Sequence, residues 1–414
     1  MLRRYLSELP KSLYIILAFS LLLHIFCLVK QPGVDEKIIK QNFGAVDAYN
    51  YTLTAKQLLE HGIFGFVYLE PSDPPSKNAY VTPAQPLMLA GAMIISKVTH
   101  IPYYYVATGF NLIFDLLTIL VLYLIGKELF ERKAYGIVAA GLYACYFSIY
   151  QYFRMLLTEP PSMFLLCLSL YVFILCWKYD KVKYHIWFGV VVSILLMFRP
   201  NPAPMLLIPI LVVIYTYGVW KSIKIGLLWC IGPFFIIGAW VLRNWISLNE
   251  FILFSTQGGN PLLAGANPFS RSADIGKDMI AAGYTDSTVY AKDLIKQGFT
   301  TDFTYWFSWF TVGKTIELFI RPSWVGSYPF YPFLKKYHQL LIAFTALSSF
   351  CFMINSFKHK RFMMLVSSVI VYVASTNIFL AIDRYGYFII PLICLIASYG
   401  IVRIIQALSN LKYR

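Results

Sequence analysis

The sequence predicts an all-α integral membrane protein with about ten transmembrane helices, extracytoplasmic juxtamembrane helices and two long outside loops. Three observations carry this expectation. Of the 414 residues, 58% are hydrophobic and only 13% are charged, whereas about a quarter of a soluble domain is charged. No single core could hide that much apolar surface, but lipid can solvate it. The apolar residues gather into runs long enough to cross a bilayer, and the cations sit in short clusters between those runs.

The expected spans are approximately 12–29, 103–126, 134–151, 160–177, 184–198, 202–217, 224–241, 338–357, 362–382 and 386–405. The first follows Leu2-Arg3-Arg4 like a signal peptide, but no small-residue cleavage site follows, so it is read as an anchor. With the N-terminus inside, seventeen Lys and Arg residues fall on cytoplasmic ends and loops, and only Arg154, Arg199 and Arg384 on short outside turns. The positive-inside rule therefore places both termini in the cytoplasm and the protein in the cell membrane. The net charge of +15 resides in these loop clusters. No continuous basic face offers itself to nucleic acid, and a polytopic bilayer partner accounts for the charge.

The chain reads as one polytopic domain, 1–414, with a first extracytoplasmic loop at 30–102 and a second at 243–337. Within the first, 47–61 is expected to be a helix opening on an N-cap Asp and ending before Gly62. Residues 84–98 are apolar but short for a span. Making them one would put the basic loop 127–133 outside, so they are laid along the interface. All seven cysteines lie in apolar runs as small buried hydrophobes, without metal-ligand spacing. There is no Walker loop, dinucleotide glycine fingerprint, HExxH or GxSxG.

Five polar places stand out. Asp47 can cap a helix, or it can accept a proton from an acceptor hydroxyl at the membrane surface. Glu159, after Thr158 and before Pro160, can be an ordinary helix start or an ionisable group held at the hydrocarbon edge for function. The stretch Tyr80–Met88, with Pro83 and Pro86, reads mainly as a rigid turn. Arg243-Asn244 is followed by Ser255–Asn260, a Gly, Asn and Gln composition that suits sugar hydroxyls and equally suits a plain loop. Arg384-Tyr385 can be an interfacial anchor or the partner of a lipid phosphate.

Taken in order, these pieces resemble the C-type multi-spanning glycosyltransferases that use polyprenyl-phosphate sugars. The similarity is to the bacterial relatives of protein O-mannosyltransferases (glycosyltransferase family 39) and of the lipid A aminoarabinose transferase. The resemblance runs through Asp47 and Tyr51, Pro83 and Pro86, Glu159, Arg199-Pro200, Arg243-Asn244, and Arg384-Tyr385 with Pro391. It implies Asp47 as catalytic base and Glu159 as a positioning or, in some branches, metal-assisting acid. Relatives often carry an acidic residue and a cation just after the first Asp, where this chain has Ala48 and Asn50, and a cation where it has Thr82. Donor-phosphate and sugar contacts are therefore expected from Arg243, Asn244, Arg384, Tyr385 and Tyr51.

The expected reaction is displacement at the anomeric carbon of a polyprenyl-phosphate-linked sugar, with inversion, toward an extracytoplasmic glycan, lipid or protein acceptor. A divalent metal is possible but not favoured, because the usual carboxylate cluster is missing. The alternative is a polytopic transporter or flippase. Against it stand the lack of internal repeats and the scarcity of charge within spans. A non-enzymatic scaffold would leave the polar residues at the outer ends of different spans unexplained. Convergence of Asp47, Glu159, Arg243 and Arg384 on one outward cavity would favour catalysis; a midplane cavity between similar halves would favour transport.

Overall fold

The structure, a computed structural model, describes residues 9–30, 33–43, 46–66, 74–324, 330–354 and 359–412. Leu2, Arg3 and Arg4, and the last residues of the expected span 338–357, lie outside them. The described residues are all-helical, with no strand. The first apolar run forms α1 (Lys11–Lys30), followed by α2 (Glu36–Phe43) and α3 (Val46–His61). Helix α3 stops at Gly62, whose φ of +68° suits a residue without a Cβ. Asp47 is the second residue of that helix, inside its first turn and not at the cap position. Helix α4 (Ala84–Thr99) has Pro83 before it and Pro86 in its first turn, and it packs between α3 and α5 (Tyr103–Phe130).

A short α6 (Lys133–Ala144) follows, then one turn, α7 (Ile149–Tyr152). Next come α8 (Glu159–Tyr179), α9 (Val182–Phe198), a 3-10 turn at Ala203–Leu206, α10 (Leu207–Tyr217) and α11 (Val219–Leu248). The second long loop is itself mostly helical: α12 (Gly259–Gly265), α13 (Ile275–Ala281), α14 (Ser287–Thr301), α15 (Phe303–Ser308) and α16 (Lys314–Phe319). Asp274, Asp286 and Asp302 each accept a backbone N–H at the start of α13, α14 and α15, as N-cap chemistry requires. The chain closes with α17 (Tyr331–Met353), α18 (Lys360–Thr376), α19 (Asp383–Phe388) and α20 (Ile390–Lys412).

Among the described residues five helices, α1, α5, α8, α11 and α20, are long and apolar enough to cross a membrane; α9 and α10 are shorter apolar helices. Their packing is graded. Of their most apolar stretches, only 22% is buried in α1 and α11 against 67% in α8, so α8 is central and α1 and α11 are the most peripheral, with α5 and α20 between. Lipid tails are as apolar as Leu, so close backbone approach replaces hydrophobic burial as the force between helices. At the α9–α11 crossing a Cβ on Gly189 would lie 2.1 Å from the Trp229 carbonyl oxygen, which only glycine permits.

The expected span 134–151 is the clearest departure. Helix α6 ends at Ala144, and an irregular, buried stretch runs to Thr158. Buried irregular backbone must satisfy its polar groups within the protein. Here Tyr150 donates its hydroxyl to the Ala144 carbonyl (2.6 Å), Asn111 donates to the carbonyls of Phe153 and Met155 (both 3.0 Å), and Gln85 donates to that of Leu156 (3.1 Å). These contacts deliver Thr158 and Glu159 to the start of α8. Asn111→Leu keeps roughly the volume and removes two donors, each orphaned carbonyl costing about 1–3 kcal/mol. We expect a clear drop in thermal unfolding midpoint; an unchanged midpoint would mean the stretch is held by something else.

A buried pair inside the helices also escaped the sequence reading. His24 on α1 bonds Asp115 on α5 (Nε2 to Oδ2, 3.2 Å), and neither side chain is more than 2% exposed. It ties a lipid-facing helix to the bundle by a polar contact, which lipid cannot supply.

Candidate active site

Three helix ends meet at one place: the N-terminus of α8, the C-terminus of α9 and the short α19 before α20. Each carries one charged residue there, and the first turn of α3 supplies a fourth. Glu159 opens α8, with Pro160 and Pro161 behind it in the positions where a missing N–H costs least. Arg199 caps α9 in extended conformation, and Thr82 donates to the Phe198 carbonyl (3.1 Å), holding that end in place. Arg384 lies on α19, fixed by Gly386: a Cβ there would come within 1.9 Å of the Leu318 carbonyl oxygen on α16.

The guanidinium of Arg384 joins the acids. Its Nη1 donates to Asp47 Oδ2 (2.7 Å), its Nη2 to Glu159 Oε2 (3.2 Å), and its Nε to Glu159 Oε1. Arg199 Nη1 donates to the same Glu159 oxygen Oε1 (2.7 Å). Two carboxylates and two guanidiniums thus form one neutral cluster. Burial opposes the charge on Arg384, but Glu159 and Asp47 outweigh it and hold the group well above its usual pKa. Arg199 also stacks over the rings of Tyr385 and Phe388, 5.1 and 5.3 Å from their centroids. Tyr51 is buried beside the cluster; burial and then the Asp47 carboxylate push its hydroxyl up, so it stays a neutral donor.

The cluster floors a cavity of about 150 Å³ lined by Asp47, Tyr51, Thr82, Thr158, Arg199, Arg384 and Tyr385, with Ser255 and Gln257 from the second long loop. Glu159 is fully buried and does not line it; it lies behind the two arginines and holds them. A larger, mainly apolar groove of about 330 Å³ adjoins, sharing Pro200, Asn201, Pro261 and Tyr385 and continuing over Pro204, Thr376 and Phe379. The site therefore offers a carboxylate, two cations and sugar-compatible polar groups beside an apolar channel.

Of the residues singled out from sequence, Asp47, Glu159, Arg384, Tyr385 and Tyr51 come together, and Arg243 and Asn244 do not. Arg243 donates to the carbonyls of Phe64 and Asn78 (3.1 Å for the latter) and to Asn244 Oδ1 (2.9 Å), and its guanidinium lies over the Phe64 and Trp240 rings. Asn244 donates to the Ile252 carbonyl (3.0 Å). Arg243 ties the first loop to α11 and Asn244 ties down the start of the second, and neither lines the cavity. The residue missing from the expected donor contacts is Arg199. It stood among the ordered motifs as Arg199-Pro200, and nothing local distinguished it from a helix-end anchor. Among the described residues no three His, Cys, Asp or Glu side chains converge. The Arg384 guanidinium stands between the two site carboxylates, so this donor set does not fit a divalent ion.

Comparison with known proteins agrees with this reading of the fold. Residues 82–241 match the family described as dolichyl-phosphate-mannose-protein mannosyltransferase. That stretch includes Glu159 and Arg199 and excludes Asp47 and Arg384. No curated protein sequence matches the chain. Among solved structures, the chain is similar to the archaeal oligosaccharyltransferase AglB from Archaeoglobus fulgidus, determined with an inhibitory peptide and a dolichol-phosphate. The TM-score is 0.57 at 14% identity, covering 97% of this chain and 51% of that one. The same enzyme with Zn and sulfate gives 0.56 at 14% identity (96% and 49%). Tethered to an acceptor peptide containing the NVT sequon, it gives 0.56 at 13% (96% and 50%). The chain thus spans about half the length of the solved structures it matches. The chain is thus similar to that mannosyltransferase family in sequence over 82–241 and shares the fold of the archaeal enzyme over nearly its whole length.

Proposed function

We propose that this chain is a membrane glycosyltransferase that moves a sugar from a polyprenyl-phosphate donor to a hydroxyl of an extracytoplasmic acceptor, with inversion. The observation that carries the proposal is the Arg384 guanidinium bridging Asp47 and Glu159 at the floor of a polar cavity that opens onto an apolar groove. A lipid-linked donor needs both parts, because its phosphate sits at headgroup depth while its tail stays in the hydrocarbon. The matched family and the dolichol-phosphate held by the archaeal neighbour support the same donor class.

In this reading Asp47 takes the proton of the acceptor hydroxyl as its oxygen bonds to the anomeric carbon. The bond from that carbon to the phosphate oxygen breaks on the opposite face, and the electron pair leaves with the polyprenyl phosphate. Arg384 and Arg199 hold the charge that develops there. Arg199 takes the role first expected of Arg243. Tyr51, Ser255 and Gln257 line the cavity and would bind sugar hydroxyls, and Tyr385 lines both the cavity and the groove. Glu159 is a positioning residue.

The test is release of polyprenyl phosphate by purified protein from a panel of polyprenyl-phosphate sugars, with a chain-matched polyprenyl-diphosphate sugar beside them and a membrane extract as acceptor. Turnover of a monophosphate donor supports the proposal; turnover of the diphosphate alone would change the donor class, and none with any donor would remove the reading. Because the cluster supplies its cations as guanidinium groups, transfer should be unchanged after EDTA. Loss on chelation with recovery on adding a divalent ion would return Asp47 and Glu159 to metal ligation.

A further inference from the structure

A second polar cavity, about 470 Å³ and larger than the first, lies at the other end of the bundle. Helix α20 starts beside Arg384 and carries Arg403 thirteen residues after Ile390, which is about 20 Å of helix rise. The cavity is formed where α5 ends, α6 and α18 begin and α20 runs out. Its walls bring Arg132, Lys360, Arg361 and Arg403 around one carboxylate, Glu131. Arg361 is already spent on that acid (2.7 Å) and on the Leu129 carbonyl (3.1 Å). Among the described residues the other three cations have no carboxylate against them, and the ammonium of Lys360 reaches the Tyr215 hydroxyl (3.4 Å) and lies over that ring.

The floor is ordered and aromatic. Tyr399 stacks on Tyr135 (ring centroids 5.5 Å apart) and packs against Phe362, and its hydroxyl hydrogen-bonds His359 Nδ1 (2.7 Å). Loop cations held near a membrane surface for topology alone need no shared cavity and no fixed floor. Here like charges are gathered at a concave site, an arrangement that an anion relieves. The cavity lies at the end of the bundle, where a lipid headgroup would sit with its acyl chains running back toward the apolar middle of the helices.

We propose that this cavity binds a phosphate-bearing headgroup, that of an anionic phospholipid. The site is separate from the cluster at Arg384, and the proposal does not depend on the reaction assigned there. The full chain, delipidated in detergent, is titrated with phosphatidylglycerol and with phosphatidylcholine, and the first bound lipid is followed by native mass spectrometry. Phosphatidylglycerol should bind more tightly, and the double variant Arg132→Gln/Arg403→Gln should lose about fivefold for each cation removed. A control with equal charge loss in the second long loop, Arg271→Gln/Lys277→Gln, should bind as wild type does. Equal binding of the two lipids, no change in the cavity variant, or an equal loss in the control would each overturn the site. Displacement of bound phosphatidylglycerol by inorganic phosphate at similar concentration would overturn the lipid source and leave a site for free phosphate. The cavity cations are exposed, so the double variant should unfold at the wild-type temperature, and binding is read on folded protein.

Discussion

Asp47→Asn is expected to lower the rate of sugar transfer by about 10²–10⁴-fold while leaving donor affinity nearly unchanged. The amide keeps the size of the side chain, and its oxygen can still accept the hydrogen bond now reaching Asp47 from Arg384 at 2.7 Å. It cannot take a proton at neutral pH. The expectation also follows from charge. At rest, two carboxylates balance two guanidiniums. When Asp47 is protonated the cluster becomes net positive by one, just as the departing phosphate gains one negative charge. Proton uptake and leaving-group stabilisation are then the same event, and the asparagine variant separates them. Single-turnover transfer and equilibrium binding of a polyprenyl-phosphate sugar, measured on the same folded sample, read the two effects apart. A rate within a fewfold of wild type would leave Asp47 as part of a helix start and an ion pair. The base would then have to be sought elsewhere along the cavity.

The parts of this molecule that were legible in the sequence are those governed by one local rule. Bilayer thickness sets the length of an apolar run, so α1, α8 and α9 fall close to where the runs at 12–29, 160–177 and 184–198 place them. Glycine after His61 ends α3 where expected. What was not legible depends on partners far along the chain. The end of α6 is set by the Tyr150 hydroxyl and by amides from Asn111 and Gln85, so an apolar run that looks long enough to span stops short. Arg243 looked as suited to phosphate as Arg199 does. Carbonyls of Phe64 and Asn78, more than 160 residues earlier, commit it to structure. The helices of the second long loop carry their start signals in Asp274, Asp286 and Asp302, which nothing in the apolar runs picks out. For the site itself, order and sidedness of motifs found Asp47, Glu159 and Arg384. Only the fold shows that the Arg384 guanidinium joins the two acids.

The other large effect is expected at Glu159, and it separates a positioning acid from a second base. Its carboxylate is fully buried, outside the cavity, and holds both arginines through three hydrogen bonds to Arg384 and Arg199 at good geometry or closer. Glu159→Gln keeps the shape and removes the charge, leaving two buried guanidiniums with only Asp47 to balance them. Breaking a buried ion pair from one side costs about 3–5 kcal/mol, so a marked fall in unfolding midpoint is expected. Transfer should fall with it, because Arg384 loses its fixed orientation. The pairing also predicts compensation. In Glu159→Gln combined with Arg199→Met, one uncompensated cation is gone, and stability should recover part of the loss relative to Glu159→Gln alone. A chemical base at Glu159 would behave differently: activity would fall with stability nearly intact, and removing Arg199 would rescue nothing. The double-mutant cycle in unfolding midpoint therefore decides the role of Glu159 without requiring that the acceptor be known.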